Sequence, residues 1–408
     1  MPIDLGLTRV ARLLSHFNNP HLKYKSIHVA GTNGKGSTLA YISSILTQHR
    51  LRNGKFTSPH MVELNDCITI DNETYSQSKF DVINRNVLHV DKELQLKCTE
   101  FEILTVTAFK IFELEKVEMA LIEVGVGGRL DATNVLDAFN GEGGVVATGI
   151  TKIGIDHEGL LGNTIEQIAQ EKAGILKLGI PCFTDGSNKE EALQVIKDKA
   201  KSLHCPLEVV VPNEDDRDLL RSSPLKGEYQ LSNLAVALRI IELLRTFYTF
   251  SRDQTIAGIR NTHWPGRLES LDIPELGDIL IDGAHNKDAA VELGRYLKST
   301  YPAENITFVV GMTKGKNLSS LLTHIVRKDD TVIPTLFHQP DQMPWIYCES
   351  IKKISEVAKS FCRVKIVSQE AYISDVFRYL KENRDASSPV VVCGSLYLYA
   401  DAVKWINQ

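Results

Sequence analysis

Ser26-Ile-His-Val-Ala-Gly-Thr-Asn-Gly-Lys-Gly-Ser37, continuing without a break into Thr38-Leu-Ala-Tyr-Ile-Ser-Ser-Ile-Leu46, is the stretch that decides the fold. A short apolar run ends in a turn carrying Gly31, Gly34 and Gly36, and a second apolar run follows, so the segment reads as strand, glycine-rich turn and helix. Glycines let backbone N–H groups approach an anion closely, and the helix behind them adds unpaired N–H groups and the positive end of its dipole. Lys35 supplies a mobile point charge of the kind that meets outer phosphates. The match to the common phosphate-loop pattern is loose, because Val29 stands where that pattern has glycine and Gly36 separates Lys35 from Ser37. Taken alone, the turn also fits a plain structural role.

Outward from this stretch, short β-branched apolar runs alternate with amphipathic ones along nearly the whole chain, the pattern of a mostly parallel sheet covered by helices. Strands are predicted at 26–30, 118–124, 145–150, 180–183 and 207–211, and helices at 78–95, 100–114, 164–175, 188–203 and 230–247. The last of these carries Leu234, Leu238, Ile241 and Leu243 or Leu244 on one face. Residues 65–74 alternate and then turn, which predicts a small antiparallel hairpin. Pro265 and Gly266 break the pattern after a helix expected to end near Arg260. A second series follows, with strands at 279–282, 306–311, 330–334, 363–367 and 389–394 and helices at 286–299, 317–326, 349–360, 371–383 and the chain end. The expected fold class is α/β: an N-terminal P-loop ATPase-like parallel-sheet domain with a small antiparallel hairpin (1–262), a linker (263–267) and a C-terminal Rossmann-like α/β domain (268–408).

The 408 residues suffice for two or three well-buried cores, and a net charge of −5 with no run of like charges gives no footprint for nucleic acid or an anionic membrane. Seven scattered cysteines without a C-x-x-C pair predict reduced thiols rather than a disulfide framework or a zinc site. With no leader pattern at the N-terminus and no long apolar run, the expected compartment is the cytoplasm. The expected partners are small molecules, and the expected state is a monomer.

Glu123 ends the apolar run Leu121-Ile-Glu and opens the glycine turn Val124-Gly-Val-Gly-Gly-Arg-Leu-Asp131. A strand-end carboxylate beside a phosphate loop is placed to hold a metal ion, although a strand-end acid also fits a solvent-facing position. His157 and Lys172 flank a short helix, and each alone fits a satisfied structural residue or a solvated face. Ser58, in Thr57-Ser-Pro-His60, fits a simple turn. Asp282-Gly-Ala-His285-Asn286 and Cys393-Gly-Ser395 put polar groups at strand ends of the second lobe, where a small substrate or a helix N-cap is an equal explanation.

Taken in order, HVAGTNGKGS, FTSPH, CTEFEILT, IEVGVGGRLDATN, GIDHEGLLG, EKAGI, WPGR, DGAHN and VVCGSLYL resemble the folate-adding branch of the Mur ligase superfamily, the dihydrofolate and folylpolyglutamate synthases. LGLTRV, LKCTEFEILT and VVCGSLYL bring the chain nearer to the fungal dihydrofolate synthases. The resemblance implies a ligase that uses ATP and two Mg2+ ions to join L-glutamate to dihydropteroate through an acyl phosphate. It implies that Asn33, Gly34, Lys35, Gly36, Ser37, Asn233, Arg267 and Asp282 bind ATP. Ser58 and Glu123 would hold one metal ion, and His157 with a carbamylated Lys172 the other. Thr99, Glu100, Phe101, Glu102, Leu130, Asp131 and Ala132 would contact the pterin, and His285 and Ser395 the glutamate. Lys35, Glu123, His157, Lys172 and His285 are thus the expected catalytic set. Extension of folate by further glutamates, a bifunctional enzyme, and a P-loop kinase or nucleotide-driven switch are the alternatives.

Overall fold

The structure, a computed structural model, describes residues 5–340, 343, 345–383 and 388–406. The chain divides into two compact units, one made of Met1–His60, Asn65–Pro224 and Tyr229–His263, the other of Met61–Leu64, Leu225–Glu228 and Trp264–Gln408. Among the described residues, no helix is long and apolar enough to cross a membrane.

The first unit is built on an eight-stranded sheet: β1 (Lys25–Ala30), β2 (Asn53–Phe56), β3 (Ile68–Ile70), β4 (Glu73–Thr74), β5 (Met119–Glu123), β6 (Gly144–Ile150), β7 (Cys182–Asp185) and β8 (Leu207–Val210), in the order β4-β3-β2-β5-β1-β6-β7-β8. The six strands from β2 to β8 in that order run parallel, and β3 and β4 add the antiparallel hairpin expected from residues 65–74. β1 sits near the middle, buried from Ser26 to Ala30, so the turn that follows it opens at the centre of the carboxyl edge, where ligands meet parallel sheets. Successive residues of β2 mark the two covered faces. Asn53 Oδ1 accepts a 2.6 Å hydrogen bond from Ser43 of the helix Lys35–Gln48, whereas a Cβ on Gly54 would lie 2.4 Å from Phe112 of the helix Glu100–Leu114. The helix Lys35–Gln48 also packs against the helices Gln230–Leu244 and Arg252–Arg260 and is buried from Gly36 to Leu46, which is why its apolar residues run almost continuously.

The second unit carries a six-stranded sheet of β9 (Glu269–Ile273), β10 (Gly277–Asp282), β11 (Thr307–Val310), β12 (Thr331–Pro334), β13 (Arg363–Val364) and β14 (Val390–Cys393), ordered β13-β12-β11-β14-β10-β9. Its core gathers Ile279, Ile281, Val309, Ile333, Phe377, Val392 and Leu398. The five parallel strands are those expected. β9 is an addition, antiparallel to β10 across a turn in which Leu276 N–H donates to Ile273 O.

Several elements differ from expectation. β7 begins at Cys182 instead of 180, since Pro181 has no N–H to donate to a ladder. β13 keeps only two residues of the expected 363–367 at the edge of its sheet. β2 escaped notice because Asn-Gly-Lys-Phe has low strand propensity, and its place comes from β5 and β3 on either side. The helix after the phosphate loop starts at Lys35, so Gly36 and Ser37 belong to its first turn and Gly34, at φ +92°, is the last loop residue.

Candidate active site

The turn after β1 is fastened to the segment after β6. Thr32 and Asn33 N–H both donate to Lys152 O, Thr151 Oγ1 donates to Asn33 O at 2.8 Å, and a Cβ on Gly31 would lie 1.9 Å from Thr151 Oγ1. Lys35 folds back over this loop. Its Nζ donates to Gly31 O at 3.1 Å and lies 3.5 Å from Glu123 Oε1. Glu123 ends β5 in register with Val29 of β1, and at 5% exposure the carboxylate is buried, so it is not a solvent-facing strand end.

Lys172 reaches the same point from the helix Ile165–Ala173. Its Nζ donates to Gly31 O at 2.9 Å, and the residue is 4% exposed, which excludes a solvated face. Burial first and Lys35 second push its ammonium down to about 7, against the opposite pull of Asp156 and Asp131. Glycines make the approach possible. A Cβ on Gly128 would lie 2.7 Å from Glu171 O and 3.1 Å from Lys172 Cα. Arg129 clamps the contact, with its N–H on Glu171 O and its guanidinium 2.9 Å from the Glu171 carboxylate.

Of the other residues expected at the nucleotide, Asn233 lies beside the loop. A Cβ on Gly34 would lie 2.2 Å from Asn233 Oδ1. Asn233 Nδ2 donates to Gln230 Oε1, and Gln230 Nε2 donates to Ser37 Oγ, so the helix Gln230–Leu244 braces the first turn of the helix at Lys35. Ser58, half-buried, follows β2 and so leaves the sheet beside Glu123, since Phe56 pairs with Ile122. His157 is exposed in the left-handed region at φ +53°.

Of the residues expected at the pterin, Thr99 and Glu102 form a capping box on the helix Glu100–Leu114, and Glu102 accepts from Arg9 Nε through both oxygens at 3.2 and 3.0 Å. Glu100 is exposed, and Phe101 stacks on Phe56 with centroids 5.9 Å apart. Leu130 is half-buried and Ala132 buried. Asp131 is buried and accepts from Val126 N–H, Thr133 N–H and Thr133 Oγ1. With that hydroxyl hydrogen committed, Nε2 of the fully buried His28, 2.8 Å from Thr133 Oγ1, is the donor in their bond.

In the second unit Asp282 ends β10 and accepts from Leu268 and Ala284 N–H, each at 2.9 Å. Burial raises its carboxyl, against Arg267 and these two N–H groups. The helix Lys287–Thr300 is capped by Asn286, so Asp282 is not an N-cap. Arg267 Nη1 donates to Gly266 O and closes over Gly283, whose Cβ would lie 2.4 Å from it. His285 is half-buried with Nδ1 2.9 Å from Gly283 O. Ser395 Oγ accepts from Tyr397 N–H at the start of the helix Leu396–Ile406, which is the N-cap reading.

Lys55, Thr151, Gln230, His28 and Thr133 were not singled out in the sequence. Lys55, Thr151 and Gln230 lie outside the quoted motifs, whereas His28 and Thr133 lie within HVAGTNGKGS and IEVGVGGRLDATN without being marked individually. Lys55, 5% exposed, is the most consequential: burial pushes it down to about 8, and Glu123 supplies the opposing attraction. Among the described residues no group of three or more His, Cys, Asp or Glu side chains gathers to hold a metal. The Glu123 carboxylate and Ser58 hydroxyl are hard oxygen donors few enough to fit a cation that keeps most of its shell as water and phosphate oxygen, as Mg2+ does.

A buried acid, a glycine turn between strand and helix and two lysines converging on one carbonyl make up the candidate nucleotide-phosphate site on this parallel sheet. A family profile described as dihydrofolate synthetase, C-terminal domain, matches residues 272–405. The probable dihydrofolate synthetase of Schizosaccharomyces pombe and the dihydrofolate synthetase of Saccharomyces cerevisiae are each 39% identical over 100% of this chain and 99% of their own. The crystal structure of a bifunctional folylpolyglutamate synthase/dihydrofolate synthase from Yersinia pestis, complexed with AMPPNP and a Mn ion, superposes with a TM-score of 0.81 at 25% identity, over 100% of this chain and 95% of that one. The chain belongs to the family of dihydrofolate and folylpolyglutamate synthases. Membership sets aside the kinase and switch alternatives: the chain belongs to a family of ATP-dependent ligases.

Proposed function

We propose that the chain joins L-glutamate to 7,8-dihydropteroate at the expense of ATP, giving 7,8-dihydrofolate, ADP and phosphate. The observation that carries this reading is the meeting of Lys35, Glu123 and Lys172 around Gly31 in a chain that matches two yeast dihydrofolate synthetases end to end. The Yersinia enzyme's bifunctional name favours a second reading, in which the chain also extends folates.

Asn33 to Ser37 and Asn233 bind the phosphates, with Arg267 and Asp282 as the second unit's nucleotide residues. Ser58 and Glu123 would hold one Mg2+, and His157 and a carbamylated Lys172 would hold a second. Bound there, the metal neutralises charge on the phosphoryl group being transferred. The pterin lies against Thr99 to Glu102 and Leu130 to Ala132, and His285 and Ser395 recognise glutamate. The acceptor's carboxylate attacks the γ-phosphorus, the bond to ADP breaks, and Lys35 offsets charge on the transferred group. The glutamate α-amine then attacks the acyl carbon and gives up a proton, and phosphate leaves as the C–O bond breaks. Phosphorylation is what makes a carboxylate electrophilic enough for amide formation. Seven free cysteines support a reducing, cytoplasmic setting. Dihydropteroate labelled with oxygen-18 in its carboxylate should pass one labelled oxygen to the released phosphate. Unlabelled phosphate alongside labelled amide product would exclude the acyl phosphate.

A further inference from the structure

Lys55 is a buried cation in the middle of a strand. Gly54 and Phe56 face the helix Glu100–Leu114, the first against Phe112 and the second stacked on Phe101. Asn53 faces the other way, toward Ser43 of the helix Lys35–Gln48, and Lys55 shares that direction by the two-residue period of a strand. Lys55 pairs in register with Leu121 of β5, and Glu123, two residues on, lies on the same face. The two side chains therefore extend from neighbouring strands on the phosphate-loop side of the sheet, and Glu123 is the anion whose attraction opposes the cost of burying Lys55. Lys35 stands 3.5 Å from the same carboxylate but is rooted at the start of the phosphate-loop helix. Among the described residues, Glu123 has cationic neighbours both on the loop, Lys35, and fixed to the sheet, Lys55.

These two neighbours have different fates once a nucleotide binds. Lys35 is the cation that must turn to the outer phosphates, and doing so withdraws one cation from a buried carboxylate, which raises the cost of keeping that charge out of water. We propose that Lys55 is a positioning residue, a strand-fixed counter-ion that keeps Glu123 balanced and in place so that Lys35 is free to leave it for phosphate. The proposal rests on the functional reading above, which gives Lys35 to the phosphates and Glu123 to a metal ion.

The test is Lys55→Met, which keeps the apolar stem and removes the charge, read by calorimetric titration with AMPPNP without divalent metal and, separately, with Mn2+ without nucleotide. Metal-free AMPPNP affinity should fall by about tenfold or more, because Lys35 no longer leaves Glu123 balanced. Mn2+ affinity should rise, because one repelling cation beside Glu123 is gone. A merely structural lysine would weaken both, and that result, or no change in either, overturns the proposal. In a Glu123→Gln background, Lys55→Met should leave metal-free AMPPNP affinity unchanged, and a loss as large as in the wild-type background also overturns it. Lys55→Leu carries the same readings should the methionine variant fail to fold. A wild-type chain that binds no AMPPNP with or without Mn2+ refutes the ligase reading and this proposal together, whereas normal wild-type binding with the wrong pattern in the variant refutes this proposal alone.

Discussion

Lys172→Ala removes an amine that the fold has taken out of water and set beside another cation. Burial and Lys35 hold the Lys172 ammonium at about 7, against 10.5 for an ordinary lysine. At about pH 7.5 an ordinary lysine is neutral in roughly one molecule in a thousand, whereas Lys172 is neutral in roughly three-quarters. The form able to attack carbon dioxide is therefore more abundant by nearly a factor of about 10^3, and the product is a carbamate with release of one proton. The change also reverses the local electrostatics, since Lys35 repels an ammonium at this position and attracts a carbamate. Carbon-13 NMR of the protein in labelled bicarbonate should display a carbamate resonance that disappears in Lys172→Ala. The variant should lose ligase activity, with partial recovery on adding short carboxylic acids. A carbamate signal of equal intensity in Lys172→Ala, or unaltered activity, rules out a functional carbamate on Lys172.

Three further outcomes follow from individual positions. Gly34→Ala places an L-residue at φ +92°, costing roughly 1–2 kcal/mol, and puts its Cβ 2.2 Å from Asn233 Oδ1, so AMPPNP affinity measured by calorimetry should fall at least about tenfold; unchanged affinity contradicts the loop's role. His21 stacks on Phe109 and burial pushes it down to about 4, so the folded chain binds its proton less readily than the unfolded chain. Its contribution to stability is complete above the ordinary 6.5 and is lost as pH falls toward about 4, by up to roughly 3 kcal/mol. Thermal unfolding should come earlier at about pH 5 than at about pH 7.5, with a smaller difference in His21→Phe, and an equal difference in the variant counts against this cause. Gly294→Ala would set a Cβ 2.1 Å from His324 O, forcing apart the helices Lys287–Thr300 and Leu318–Ile325 at a cost of about 1–3 kcal/mol; an unshifted melting temperature would disprove the close approach.

The legible parts of this chain are those in which local chemistry and tertiary place agree. β1, its glycine turn and the helix behind it were readable because glycine punctuates an apolar run at a point where the backbone does need φ above zero, at Gly34. Glu123 was readable because acids at strand ends are uncommon inside apolar runs. β2 was not readable, since three of its four residues, Asn53, Gly54 and Lys55, are poor strand formers held by the strands beside them. β9 was hidden by half-exposed alternation that includes Glu269 and Asp272. The burial of Lys55 and Lys172 was also invisible. A lysine in a strand or on a helix reads as solvated, and only the helix Lys35–Gln48 over one face and the Gly128 approach at the other remove them from water. The capping box of Thr99 and Glu102 shows the opposite case, in which residues singled out for a ligand are engaged in holding a helix end and Arg9.

In the proposed reaction this phosphate loop activates a pterin carboxylate for amide formation with glutamate. An ATP-dependent product assay run in parallel with 7,8-dihydropteroate and with tetrahydrofolate as glutamate acceptors tests it most directly. Dihydrofolate, ADP and phosphate formed in equal amounts from dihydropteroate is the predicted result. Glutamate addition to tetrahydrofolate alone, or ATP turnover that yields no amide with either acceptor, would contradict it.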